Sequence, residues 1–152
     1  MPQVGIIVGS ATDQPVMEDT LKTLTDLGVE AELIVASAHR NPKKVQEYVE
    51  SAPGTGVEVF VAAAGGAAAL PGVVASHTTL PVIGVPIASS ELGGVDALYS
   101  IVQMPPGIPV ATVAVGAWGA RNAALLAAEV LGIKYAKIQD AVEQYRERLR
   151  QR

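Results

Sequence analysis

His39 and Arg40 stand side by side in the hexapeptide Ser37-Ala38-His39-Arg40-Asn41-Pro42. A histidine exchanges protons near neutral pH, and a neighbouring arginine can hold a phosphate or carboxylate with a planar fork of donors. The chain has two histidines, His39 and His77, and no cysteine. His39 is therefore the first candidate for acid–base chemistry. Thiolate metal sites and disulfides are excluded, and two histidines far apart in sequence argue against a zinc site.

Three other stretches carry small or polar residues after an apolar run. Gly9-Ser10-Ala11-Thr12-Asp13 offers backbone amides and a hydroxyl of the kind that hold a phosphate, and Asp13 can accept from a sugar hydroxyl. Both also suit an ordinary strand-to-helix turn with a helix cap, and Thr12 or Asp13 is the expected cap. Gly65 and Gly66, in Ala64-Gly65-Gly66, let a ligand approach the backbone, or else let a helix pack closely on a strand. Pro86 to Leu92 is a polar loop. Trp118, the only tryptophan, reads as a core or subunit contact rather than a ligand platform. Gly-x-Gly-x-x-Gly, the Walker lysine motif and Gly-x-Ser-x-Gly are absent.

The elements that must position these residues alternate. Strands are expected at Val4 to Val8, Val29 to Ala36, Val57 to Ala63, Leu80 to Val85 and Val110 to Val115. Helices are expected between them. Val16/Met17, Leu21, Leu24 and Leu27 mark the first, which Gly28 closes. Asn41 and Pro42 cap and open the second, whose apolar positions are Val45, Tyr48 and Val49. A third runs from the small-residue stretch to about His77, a fourth from Asp96 to Met104, and an alanine-rich fifth ends at Gly132. A last helix, about 135–150, places Ile138, Ala141/Val142, Tyr145 and Leu149 on one face, to pack on its own domain or on a neighbour. Repeated strand–helix units imply a parallel sheet covered on both sides. In such a sheet ligands sit at the carboxyl ends of the strands, so the four stretches should meet at one rim.

Composition agrees. The 152 residues suit one domain spanning 1–152, with 49% hydrophobic but only 4% aromatic residues. That core must be built from Val, Ile, Leu and Ala, as in a sheet buried on both faces. Its apolarity also suggests surface buried between subunits. The net charge of −4 argues against nucleic-acid or membrane-surface binding. Arg146, Arg148, Arg150 and Arg152 alternate with Glu143 and Glu147 and read as a solvated helix face. The apolar stretch Phe60 to Ala75 is too short and too rich in Gly and Pro to span a membrane. Without a basic leader, a soluble cytoplasmic protein is expected.

Taken together, these stretches resemble the PurE family of purine biosynthesis. Gly9-Ser10-x-Thr12-Asp13 is similar to its Gly-Ser-x-Ser-Asp, and Ser37-Ala38-His39-Arg40-x-Pro42 to its Ser-Ala-His-Arg-Thr-Pro. Ala62 to Gly72 is similar to Ala-Gly-Ala-Gly-Gly-Ala-Ala-His-Leu-Pro-Gly. Gly84 to Pro86, Ser100 to Pro105 and Asn122 to Ala128 match as well, so the resemblance runs from Val4 to about Gly132. It implies a flavodoxin-like three-layer α/β sandwich, here with an extra C-terminal helix, assembled as a homo-octamer. It also implies conversion of N5-carboxyaminoimidazole ribonucleotide to 4-carboxy-5-aminoimidazole ribonucleotide, with CO2 as intermediate and no metal, ATP or biotin. By position, His39 would be the acid–base residue. Ser10, Asp13 and Arg40 would hold the ribose-phosphate, with Gly9, Ser37, Gly65 and Gly66 lining the substrate site.

Arginine after the histidine, and Gln103-Met104-Pro105, point to the mutase branch of the family. The chain departs from the pattern at Ala69, where the family has histidine, and at Ala63, where it has glycine; Thr12 and Asn41 are smaller changes. The branch that carboxylates aminoimidazole ribonucleotide directly also lacks the histidine. Three readings follow: the carboxyl shift, direct carboxylation or decarboxylation of the same ring or a related substrate, and a nucleotide-binding module without catalysis.

Overall fold

The computed structural model describes residues 1–152. Five parallel strands form one sheet: β1 (Val4–Val8), β2 (Ala31–Val35), β3 (Val59–Gly65), β4 (Val82–Ile87) and β5 (Ala111–Thr112). Their spatial order is β2-β1-β3-β4-β5. Six α-helices cover the sheet: α1 (Gln14–Asp26), α2 (Pro42–Ser51), α3 (Leu70–Ser76), α4 (Val95–Val102), α5 (Ala117–Gly132) and α6 (Ala136–Arg150). This is the flavodoxin-like three-layer order, in which the chain reverses direction across the sheet between β1 and β3.

Alternation along the strands divides the core in two. Val4, Ile6 and Val8 of β1 point to the side holding α1 and α5, with Val59, Val61 and Ala63 of β3. Ile7, Phe60 and Ala62 point to the other side, against Val45 and Val49 of α2, Leu70 and Val74 of α3, and Ala97 and Ile101 of α4. Fully burying each such aliphatic side chain stabilises the fold by roughly 1.5–3 kcal/mol relative to exposure. Glycine makes room where helices lie closest. A side chain on Gly119 would put Cβ 1.6 Å from the Ala114 carbonyl oxygen, so only glycine lets α5 start against the chain leaving β5.

Several boundaries shift from their expected places. β3 begins at Val59 rather than Val57: Val57 is buried among the α2-side residues, and its amide donates to Ala52 O rather than to the sheet. β4 begins at Val82 and continues through Pro86 to Ile87. Proline is tolerated there because its missing N–H points toward β5, whose pairing with β4 ends at Gly84↔Thr112. The Pro86 carbonyl, on that same side, accepts from Gly116 N. β5 is two residues long rather than six. After two further bonds to β4, Val113 N to Gly84 O and Gly116 N to Pro86 O, the chain enters α5.

The last helix packs on its own chain. Ile138 and Val142 of α6 join the core beside α5, Tyr135 hydrogen-bonds Glu58, and Arg146 pairs with Glu129 at 2.8 Å. At the opposite end of the chain, the Met1 ammonium pairs with Glu30 at 2.6 Å, just before β2. Trp118, expected in a core or a subunit contact, is 82% exposed, so the core assignment fails. No helix is long and apolar enough to cross a membrane.

Candidate active site

The turns after β1, β2, β3 and β4 meet at the carboxyl edge of the sheet and enclose a cleft of about 440 Å³. That volume lies within the usual range for small-molecule sites. Gly9, Ser10, Thr12 and Asp13 come from the first turn, and Ser37, Ala38, His39 and Arg40 from the second. Ala64, Gly65, Ala68, Ala69 and Leu70 come from the third, and Ser89 from the fourth.

Each turn has a local cause. Ser10 is extended, and its Oγ accepts from Thr12 N at 3.2 Å and lies 2.5 Å from Thr12 Oγ1, closing a single 3-10 turn before α1. Asp13 ends that turn at the cap position of α1, but its carboxylate makes no capping bond. The expected capping role is thus filled one step earlier by Ser10, and the Asp13 side chain is left to the cleft. Burial raises the Asp13 pKa above the ordinary carboxylate value. Asn41 caps α2 as expected, its side chain accepting from Lys44 N at 3.3 Å, with Pro42 in the first turn.

Arg40 ties two turns together. Its backbone amide donates to Ser37 Oγ at 3.1 Å, its Nε to the same oxygen at 3.3 Å, and its Nη2 to Gly9 O at 3.1 Å. No carboxylate pairs with Arg40, so its charge stands uncompensated beside the Ser10 turn. His39 is exposed at the same cleft. A cation with free donors, a hydroxyl-rich turn and a titratable ring, set against a small apolar wall, suit a phosphorylated ligand with a reacting group at the far end.

The wall is the Ala/Gly stretch after β3. Gly65 is held at its end by Ser89, whose Oγ would lie 1.8 Å from a Cβ at that position. Ala68 lines the cleft at φ 43°, a left-handed conformation that costs a non-glycine residue roughly 1–2 kcal/mol. Strain of this kind concentrates at ligand sites. Ala69 leaves a methyl group in the lining where a larger side chain would project.

Seven of the eight anticipated site residues line the cleft: Gly9, Ser10, Asp13, Ser37, His39, Arg40 and Gly65. Gly66 does not; at φ 59° it makes the left-handed turn out of β3, a backbone role. Thr12, Ser89 and Leu70 also line the cleft; by sequence they fall in a helix cap, a rim loop and the small-residue stretch, and none of them is named as substrate-binding. Ser89 belongs to the polar loop, Pro86 to Leu92, expected at the rim. With β4 ending at Ile87 rather than Val85, Ser89 stands two residues past the strand, where a site residue belongs.

The chain is similar to known proteins along nearly its whole length. Residues 3–152 match the model of the family described as AIR carboxylase. The chain is 57% identical over 147 residues to the N5-carboxyaminoimidazole ribonucleotide mutase of Pyrococcus abyssi, covering 97% of this chain and 83% of that protein. It is 53% identical over 150 residues to the mutase of Thermotoga maritima, covering 99% and 86%. The crystal structure of Treponema denticola PurE superposes with a TM-score of 0.90 at 30% identity, covering 99% of this chain and 93% of that one.

Proposed function

We infer the activity from one premise: the chain belongs to the AIR carboxylase, or PurE, family. It acts as a mutase of purine biosynthesis, an isomerase that moves a carboxyl group within an imidazole ribonucleotide, from N5-carboxyaminoimidazole ribonucleotide to 4-carboxy-5-aminoimidazole ribonucleotide. The observation that carries this reading is the cleft that joins His39 and Arg40 to the Ser10–Asp13 turn in a chain more than half identical to named mutases.

In this reading residues 1–152 form one PurE-like domain, and Arg40, Ser10 and the amides after Gly9 hold the phosphate. Asp13 accepts from the ribose. Ser37 holds Arg40, and Gly65 leaves space for the ring. Protonated His39 gives its proton to the carbamate nitrogen; the N–C bond breaks and CO2 is released. Carbon 4 of the ring attacks CO2, forming the new C–C bond, and His39 takes back the ring proton. No net proton is consumed. Such acid–base help contributes about a hundred- to ten-thousand-fold in rate. Keeping CO2 against the Ala64–Ala69 wall adds a proximity gain and excludes water.

The same reading assigns a homo-octamer and a cytoplasmic setting. Support for association comes from the large apolar side chains left exposed: Leu92, Val95, Tyr99 and Val102 on and before α4, and Trp118 at the start of α5.

The test is interconversion of the two ribonucleotides by purified protein. His39→Ala is expected to lower kcat by at least about a hundredfold, and Arg40→Ala to act mainly on KM. Parallel incubation with aminoimidazole ribonucleotide and bicarbonate separates the alternative that Ala69 raises. Efficient carboxylation without the carbamate substrate would replace the mutase reading with the direct carboxylase. Binding with no turnover of either kind would leave a nucleotide-binding module.

A further inference from the structure

The loop from Ala88 to Gly94 brings Ser89 to the cleft, and its internal bonding is more elaborate than a polar turn requires. Ser90 Oγ accepts from Leu92 N at 3.2 Å and lies 2.6 Å from Asp96 Oδ2. Because Asp96 as a carboxylate only accepts, the single Ser90 hydroxyl proton must go to it. Asp96 sits in the first turn of α4, where negative charge is favoured. Its other oxygen, Oδ1, is buried with no hydrogen-bond partner. The Ser90 hydroxyl holds the Asp96 carboxyl below the ordinary carboxylate range, so the charged acceptor persists through neutral pH. Gly93 N donates to Ser90 O at 3.1 Å, and Gly94 packs so tightly against Ala88 that a Cβ there would lie 3.2 Å from the Ala88 Cβ. The loop is thus pinned at its middle and pinched at its base.

The residue this arrangement fixes is Ser89. It precedes Ser90 directly, lines the cleft, and covers Gly65 so closely that no side chain fits beneath it. We propose that Ser89 contacts the substrate through its hydroxyl and that Asp96, acting through Ser90, is the positioning residue that holds it there. Neither Ser90 nor Asp96 lines the cleft, so any effect they have on turnover passes through the loop. The proposal rests on the cleft being the ribonucleotide site.

The experiment is a mutant cycle read two ways: kcat and KM for the carboxyl shift, and calorimetric Kd for 4-carboxy-5-aminoimidazole ribonucleotide. Ser89→Ala is expected to lower kcat/KM and weaken binding by about three- to tenfold, the size of one neutral hydrogen bond. Ser90→Ala and Asp96→Ala should each give a similar fall. In the Ser89→Ala background neither should lower it further, which a general loss of structure would not produce. Asp96→Asn, which keeps an acceptor for Ser90, should stay within about twofold of the parent. Unchanged values for Ser89→Ala, or losses at Ser90 and Asp96 that add to it, overturn the proposal. If the parent binds the ribonucleotide without turning it over, the mutase reading fails and the Kd cycle alone decides the Ser89 contact. A parent that neither binds nor turns over overturns both.

Discussion

Asp13 shows what a single residue contributes to fold and site at once. Burial raises its pKa, so the folded state holds the Asp13 proton more readily than the unfolded chain. Stability tied to this proton is complete below the ordinary aspartate range and is lost as pH rises through the raised value. Asp13→Asn removes the buried charge. Its melting temperature should exceed the parent's at neutral pH, and the difference should close in acid; thermal melts across pH check this. If Asp13 accepts from the ribose as proposed, the same change should weaken ribonucleotide binding by roughly ten- to a hundredfold, the size of a hydrogen bond to a charged group. A variant that is more stable but binds poorly is the mark of a side chain kept in place for its ligand. Sequence showed the carboxylate but not its freedom: aspartate before a helix reads equally as a cap, and only the Ser10–Thr12 bond shows that the cap lies elsewhere.

Two elements hold the reacting turn and the rim. The Asn41 cap begins α2 immediately after His39 and Arg40. Asn41→Ala should lower stability by about 1 kcal/mol, read as a lower urea midpoint. It should also lower kcat/KM, because the first turn of α2 anchors the His39–Arg40 backbone. Gly119 sets how closely α5 approaches the chain leaving β5. Gly119→Ala should cost about 1–3 kcal/mol, because the neighbouring atoms are backbone and cannot rotate away; denaturant unfolding measures it. Helix ends were readable from Asn41, Pro42 and Gly28 because each has a local cause. Strand ends were less so. Val57 and Leu80 are apolar and β-prone, but the ladder begins two residues after each, at Val59 and Val82, where neighbouring strands supply partners. Pairing is a property of two segments, and one segment's pattern does not contain it.

For the molecule as a whole, the order of the sheet explains why the site was legible at all. Because the strands all run parallel, every turn that follows β1 to β4 reaches the same rim, and the reversal between β1 and β3 opens a crevice there. Motifs tens of residues apart therefore converge without any long-range signal in the sequence. What lay outside that logic stayed undecided: which residue of the Pro86–Leu92 loop reaches the cleft, whether Trp118 faces the core or the surface, and whether α6 packs on its own domain or on a neighbour. These depend on side-chain contacts between distant segments. Association should follow the exposed apolar side chains. If the proposed homo-octamer forms, Tyr99→Asp and Trp118→Asp should each shift sedimentation velocity toward smaller species, while an unchanged assembly would place the subunit contacts elsewhere.

The two chain ends lie on opposite rims of the sheet. Met1 is tied to Glu30 beside the amino ends of the strands. By contrast, α6 starts near Glu58 and runs back until Leu149 lies beside Trp118, at the start of α5. A fluorophore or affinity handle added before Met1 is therefore remote from the cleft, whereas one added after Arg152 sits on the rim that carries the cleft. For surface immobilisation, attachment through the amino end keeps the mouth open to solution.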